Sequence, residues 1–325
     1  MNTGVKITAF AAVLAATFGT AYGVGRGIGP VVAEAEPAEQ GGHAAGDQEK
    51  DGASHSGHAR EAGSVSLPPG GLQVSEAGLT LDLRTQQVEA GRAAELRFAV
   101  VDDKSGRNVT AYRREHGKEL HLIVASRDLT TYRHLHPVRA ADGTWSVPVR
   151  LPEAGGYRVL ADFTPATKGA RGLTLGADLA VSGRAEPQPL PARSTTATVD
   201  GYQVSLRGDL RPGAGRELVL SVAKDGRPVT DLQPYLGAYG HLVALRSGDL
   251  AYLHVHPNGE PGDGTTESGP EISFTATAPS KGAYRLFLDF RHEGKVRTAA
   301  FTLDAGGPAA GQPSAGSEEA PGHQH

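Results

Sequence analysis

The chain has no cysteine, and its one methionine is Met1. That removes disulfides, thiolate metal sites, cysteine catalysis and a cysteine-lipidated N-terminus in one step. Thioether sites for monovalent copper go with them. Aromatic residues make up 6% of the 325, so the core has to be built mainly from aliphatic side chains. Neither sign of charge dominates: 32 Lys and Arg stand against 36 Asp and Glu, a net charge of −4. No basic stripe is visible, so nucleic acid is not an expected partner. Helical periodicity is missing outside the N-terminus. The chain carries no Gly-x-Ser-x-Gly, phosphate loop or dinucleotide fingerprint. No paired carboxylates stand at matched positions either, so the expectation is a protein that is not an enzyme.

What is present points to a turn-rich β protein. Glycine (44) and proline (21) are abundant, and the length suits about two domains. At the N-terminus, Lys6 precedes 18 uncharged residues, Ile7 to Val24, followed by Arg26 and an Ala-x-Ala-like site at Ala33 to Ala35. The run is long enough for a minimal membrane span. Residues 1–33 are therefore read as a single-pass anchor with the C-terminus outside, the alternative being a cleaved signal peptide. Both readings place the rest of the chain outside the cytoplasm. Residues 34–66, with His43, His55 and His58, read as a disordered spacer, and 306–325, ending His323-Gln324-His325, as a tail of the same kind. Residues 185–197 are rich in proline and read as a linker. It separates two domains, 67–184 and 198–305.

The two domains repeat one another. His121-Leu122-Ile123-Val124 … Asp128-Leu129 … His134-Leu135-His136-Pro137 returns 120 residues later as His241-Leu242-Val243-Ala244 … Asp249-Leu250 … His254-Val255-His256-Pro257. Gly106-Arg107-Asn108-Val109-Thr110 answers Gly226-Arg227-Pro228-Val229-Thr230, and Gly156-Tyr157 to Phe163 answers Ala283-Tyr284 to Phe290. This is a tandem duplication rather than a short-period solenoid. Alternation and turn residues predict seven strands per unit. They fall near 78–84, 94–101, 119–126, 130–137, 144–151, 156–163 and 173–181, then 201–207, 216–223, 240–246, 250–256, 271–277, 283–290 and 296–303. The expected fold is all-β: two tandem immunoglobulin-like sandwiches after an N-terminal transmembrane or signal helix. The stretch around Tyr157 and Tyr284 resembles the tyrosine corner of immunoglobulin domains, with Val159 and Leu286 in the cysteine slot.

The histidines carry the chemistry. With Arg127-Asp128 as a two-residue turn, His121 faces His134; with Ser247-Gly248 as the turn, His241 faces His254. Directly opposed Cβ atoms lie about 4.5–5.5 Å apart. Residues two apart share a face, so His136 and His256 join their triads at the open end of each hairpin. Three imidazoles on one face suit copper(II) or zinc. The expectation is one metal site per domain, formed by His121, His134 and His136 and by His241, His254 and His256, the cofactor being a copper or zinc ion. The bland alternative is a set of structural histidines copied with the fold. Asp162, Asp289 and His292 are candidate fourth ligands, the aspartates reading as solvent-exposed strand ends. His116 and His292 have no counterpart in the other copy. Tyr132 and Tyr252 read as core residues, and Pro137 and Pro257 as the strand ends.

The whole pattern resembles a group of poorly characterised, secreted or membrane-anchored bacterial proteins with immunoglobulin-like domains and a "His-Leu-Ile-Val … Asp-Leu … His-Leu-His-Pro" stretch. The resemblance covers both domains and implies a heavy-metal link without catalytic residues. Two functions remain open. One is an extracytoplasmic, membrane-anchored copper- or zinc-binding protein for sequestration or delivery. The other is a cell-surface module that binds protein or glycan and needs no metal.

Overall fold

The computed structural model describes residues 69–306. The anchor or signal segment, the spacer and, apart from Gly306, the tail lie outside the described residues. Every regular element among the described residues is a strand. In the first repeat they are β1 (Ser75–Glu76), β2 (Leu79–Leu83), β3 (Gln87–Glu89), β4 (Ala93–Asp102), β5 (Arg107–Asn108), β6 (Tyr112–Arg113), β7 (Leu120–Ser126), β8 (Tyr132–Leu135), β9 (Val138–Arg139), β10 (Trp145–Arg150), β11 (Gly155–Pro165) and β12 (Leu173–Ser182). In the second they are β13 (Thr196–Val199), β14 (Tyr202–Gly208), β15 (Gly215–Lys224), β16 (Arg227–Pro228), β17 (Gly240–Arg246), β18 (Tyr252–Pro257), β19 (Glu271–Thr277), β20 (Gly282–His292) and β21 (Lys295–Ala305). The seven expected strands of each repeat are all there. The additional strands are two to four residues long, too short for alternation to show.

In the first repeat one sheet runs β1-β2-β4-β10-β9 and the other β3-β12-β11-β7-β8. β3 pairs parallel to β12, so the chain crosses from one sheet to the other before β4. The second repeat has one continuous path, β13-β14-β15-β19-β18-β17-β20-β21. The reason is β18, whose Tyr252 and Leu253 pair with β17 while His254 to Pro257 pair with β19. The first repeat makes the same crossing from β8 to β9 but breaks its ladder at His136-Pro137. There β9 begins only at Val138, whereas β18 runs on to Pro257 opposite Phe274.

Each repeat encloses its own apolar core, around Leu96, Phe98, Trp145 and Leu175 in the first and Leu218, Phe274, Leu286 and Phe301 in the second. Both tyrosine corners are formed. The Tyr157 hydroxyl donates to the Glu153 carbonyl and that of Tyr284 to the Ser280 carbonyl, each at 2.9 Å. These are immunoglobulin-like β-sandwiches.

A third apolar cluster belongs to neither sandwich alone. It joins Ile123, Ala125, Leu129, Tyr132 and Leu160 to Val243, Leu245, Leu250 and Phe287. The Tyr132 ring stacks on Phe287 with centroids 4.1 Å apart and planes 6° from parallel. The two sandwiches thus pack against each other through matched sheet faces, within one compact unit. β7 is buried at all seven positions. Leu120, Leu122 and Val124 fill the first core, and Ile123 and Ala125 fill the interface.

The hairpin loops differ from the expected two-residue turns. Ala125 pairs with Tyr132 and Ile123 with His134, so four residues, Arg127 to Thr130, make the loop. In the second repeat Leu245 pairs with Tyr252. The "Asp-Leu" of the repeated stretch explains this. Asp128 Oδ1 accepts hydrogen bonds from the Ser126 hydroxyl and the Thr130 N–H, and Asp249 Oδ1 accepts one from the Ala251 N–H. These bonds hold Leu129 and Leu250 in the left-handed region, each at φ 60°. That conformation costs about 1–2 kcal/mol. Burying each leucine in the interface returns about 1.5–3 kcal/mol.

Candidate metal centre

The register moves by two residues from the expectation, and a shift of two preserves the face. His121, His134 and His136 therefore still converge, with one ligand atom from each lying within 4.8 Å of the others. Ring centroids are 5.3 Å apart for His121–His134, 5.3 Å for His121–His136 and 4.9 Å for His134–His136. An imidazole nitrogen about 2.0–2.1 Å from an ion sets the ring centre about 3.2 Å from it, so two rings sharing a tetrahedral ion stand roughly 5 Å apart. The triad meets that spacing at all three edges.

Hydrogen bonds assign the protons. The far side of each ring donates: His121 Nε2 to the Glu115 carbonyl at 3.2 Å, and His134 Nδ1 to Asp289 Oδ2 at 2.9 Å. A neutral imidazole has one N–H, so both remaining nitrogens carry lone pairs. Those nitrogens, His121 Nδ1 and His134 Nε2, face each other at 3.1 Å. Two lone pairs do not bond, and a cation between them would satisfy both. His136 Nε2 is buried with no hydrogen-bond partner among the described residues. Metal-ligating histidines are oriented in this way, with the outer N–H given to a carbonyl or carboxylate.

The three imidazoles of the triad come from the first sandwich, but the group that orients one of them does not. Asp289, the residue that orients His134, comes from the second sandwich, and both side chains are buried at 4% and 6% exposure. Asp289 Oδ1 accepts a further bond from the Thr298 hydroxyl at 2.5 Å. Asp162, its repeat mate, is half-buried and accepts from Thr174 (3.0 Å) and from Tyr252 of the other sandwich (3.3 Å). Neither aspartate is the solvated strand end expected of it, because β11 and β20 turn these positions toward the interface.

His241 stands on the same interface. Its Nε2 donates to the Tyr235 carbonyl at 2.8 Å, as His121 does to Glu115. Its ring lies 6.3 Å from His121 and 6.1 Å from His134. The expected cross-strand pair of His241 with His254 does not form, since β18 has left β17 by that point. His254 and His256 lie on β18; their side chains are outside the described residues. His292 is not at the centre: it bonds the Tyr202 hydroxyl and Asp231. His116 is at the centre, 5.2 Å from His241 and 6.3 Å from His121. The duplication hides it, because Leu236 holds the matching turn position, with φ 53° against 50° for His116. These groups line a cavity of about 100 Å³ that includes His116, His121, His134, Asp162 and His241.

Burial, with help from neighbouring imidazoles, pushes His121 down to about 3, His136 to about 4 and His241 to about 4. Burial raises Asp162 to about 6. An unfolded histidine protonates near pH 6.5, well above these folded values. Between the two the unfolded chain binds more protons, so stability falls as the pH drops. Asp162 acts oppositely between about 3.8 and 6, where the folded state holds the extra proton. His121 and His241 together outweigh it. Metal-free protein is expected to lose about 5 °C or more in Tm between pH 7 and pH 4.5. A Tm that rises on acidification would contradict the assignment.

The family described as Domain of unknown function (DUF8832) matches the chain twice, over residues 73–171 and 197–307. The chain belongs to that family. Each match falls on a different sandwich, the first stopping short of β12, so the interface lies between two copies of the family unit. No curated protein matches the chain in sequence. Solved structures similar in fold include a protein described as membrane anchored from Corynebacterium diphtheriae (8% identity, 72% of this chain, 60% of that one, TM-score 0.22). They also include InvD of Yersinia pseudotuberculosis (12% identity, 71% and 58%, TM-score 0.22) and the D0-D1 domain of intimin (9% identity, 69% and 96%, TM-score 0.21). The chain spans less than two thirds of the first two. Likeness at this level adds nothing to the architecture already described. Among the described residues no helix is long and apolar enough to cross a membrane.

Proposed function

We propose that the protein holds divalent copper or zinc outside the cytoplasm, for sequestration or delivery, through histidines gathered where its two sandwiches meet. The lone-pair contact between His121 Nδ1 and His134 Nε2 carries this reading. Beside it, His136 offers a nitrogen with no other use. The all-nitrogen donor set suits copper(II) first on affinity order, and zinc second. The extracytoplasmic placement rests on the apolar run Ile7 to Val24, which also supports a membrane anchor.

The purified chain, loaded with Cu(II) or Zn(II) and desalted, is expected to retain metal. Combined His134→Ala and His136→Ala substitution should remove the share held by the first triad. Retention unchanged by that pair, or no retention in the parent protein, overturns the proposal in favour of a metal-free binding module whose histidines bridge through protons.

A further inference from the structure

The duplication supplies matched histidines, and the fold brings one from each copy to the same place. His121 and His241 hold matched positions on β7 and β17, yet their rings are 6.3 Å apart across the interface. Each presents Nδ1 as a lone pair, because each spends its Nε2–H on a backbone carbonyl. His241 also has a partner from the first sandwich. The His116 ring stands 5.2 Å from it, the separation of roughly 5 Å that two imidazoles adopt on one ion. Two carboxylates, half-buried Asp162 and buried Asp289, stand in the same interface at matched positions. They supply negative charge where closely spaced dications would otherwise repel.

We propose that the interface holds a pair of neighbouring copper(II) or zinc ions, one on His121, His134 and His136, the other on His241 and His116. This inference rests on the metal-binding reading and adds that the two positions form a single paired centre. Ring-to-ion legs of about 3.2 Å on either side of the His121–His241 separation put the ions no more than about 13 Å apart. Sites confined to separate sandwiches have no reason to lie so close. The second position also draws on both sandwiches, since His116 comes from the first and His241 from the second. Unlike the first, it is not a copy of its repeat mate, because Leu236 replaces His116 in the other turn. The positions should therefore fill with different affinities.

The test is electron paramagnetic resonance of the full chain during Cu(II) titration. One equivalent should give an isolated-copper spectrum. A second should bring dipolar broadening, lost again when half of the copper is replaced by zinc. His241→Ala and His116→Ala should each weaken the second equivalent and leave the first. Two tightly held coppers without broadening overturn the pair while leaving metal binding intact. So does a limit of one copper per chain. Absence of any bound copper or zinc sinks the metal-binding reading as well.

Discussion

Phe287→Ala is expected to lower the unfolding free energy by about 3–5 kcal/mol, the cost of removing a buried aromatic side chain from a site that relaxes only partly. Phe287 is 3% exposed and sits in neither sandwich core. It is covered by Tyr132, whose ring stacks on it, and by the leucines of the two hairpin loops. The loss should therefore fall on the docking of the sandwiches before it falls on either one. Urea denaturation of the parent is expected to show one cooperative transition. The variant should show a lower midpoint and separate into two steps as the coupling between sandwiches fails. A loss below about 1 kcal/mol, with a single transition retained, would mean that the interface contributes little to stability. Leu160 occupies the matched place in the first sandwich beside Tyr252, and a truncation there should act in the same direction.

That interface was the part of the fold least legible in the sequence. Strand positions were readable because alternation and turn residues mark them, and because each strand is written twice. The tyrosine corners were readable from a single Gly-x-Tyr pattern. The docking does leave a signal: Leu122 to Ala125 and Leu286 to Leu288 are continuous apolar runs, which a strand covered on both faces requires. The triad survived an error in loop length only because the error was two residues, an even number. Asp289 lies 155 residues from His134, and no local spacing announces such a pairing. His116 is not legible from the duplication, because Leu236 stands at its position in the other copy. A centre at the contact of two copies need not be symmetric, and the residue that breaks the symmetry leaves no trace in the repeat.

Asp289→Asn is the sharpest test of a centre shared between sandwiches, since the residue lies in one repeat and its expected effect appears in the other. The amide keeps the shape and still offers an oxygen to His134 Nδ1, but it removes the negative charge. A carboxylate that receives the outer N–H of a ligating imidazole makes the inner nitrogen more basic and fixes the ring. Loss of such a partner weakens metal affinity by about 10–100-fold. Competition with a chelator of known affinity should show this drop for the ion on His121, His134 and His136. The same substitution removes the anion that would balance a proton held between His121 and His134, so the parent and the variant must be compared by fold stability as well. A proton in the bridge predicts a large stability loss without metal, because a buried cation is left without its partner. A metal ion as the resident cation predicts the larger loss in affinity. An affinity unchanged by Asp289→Asn would show that the first sandwich binds its ion without help from the second.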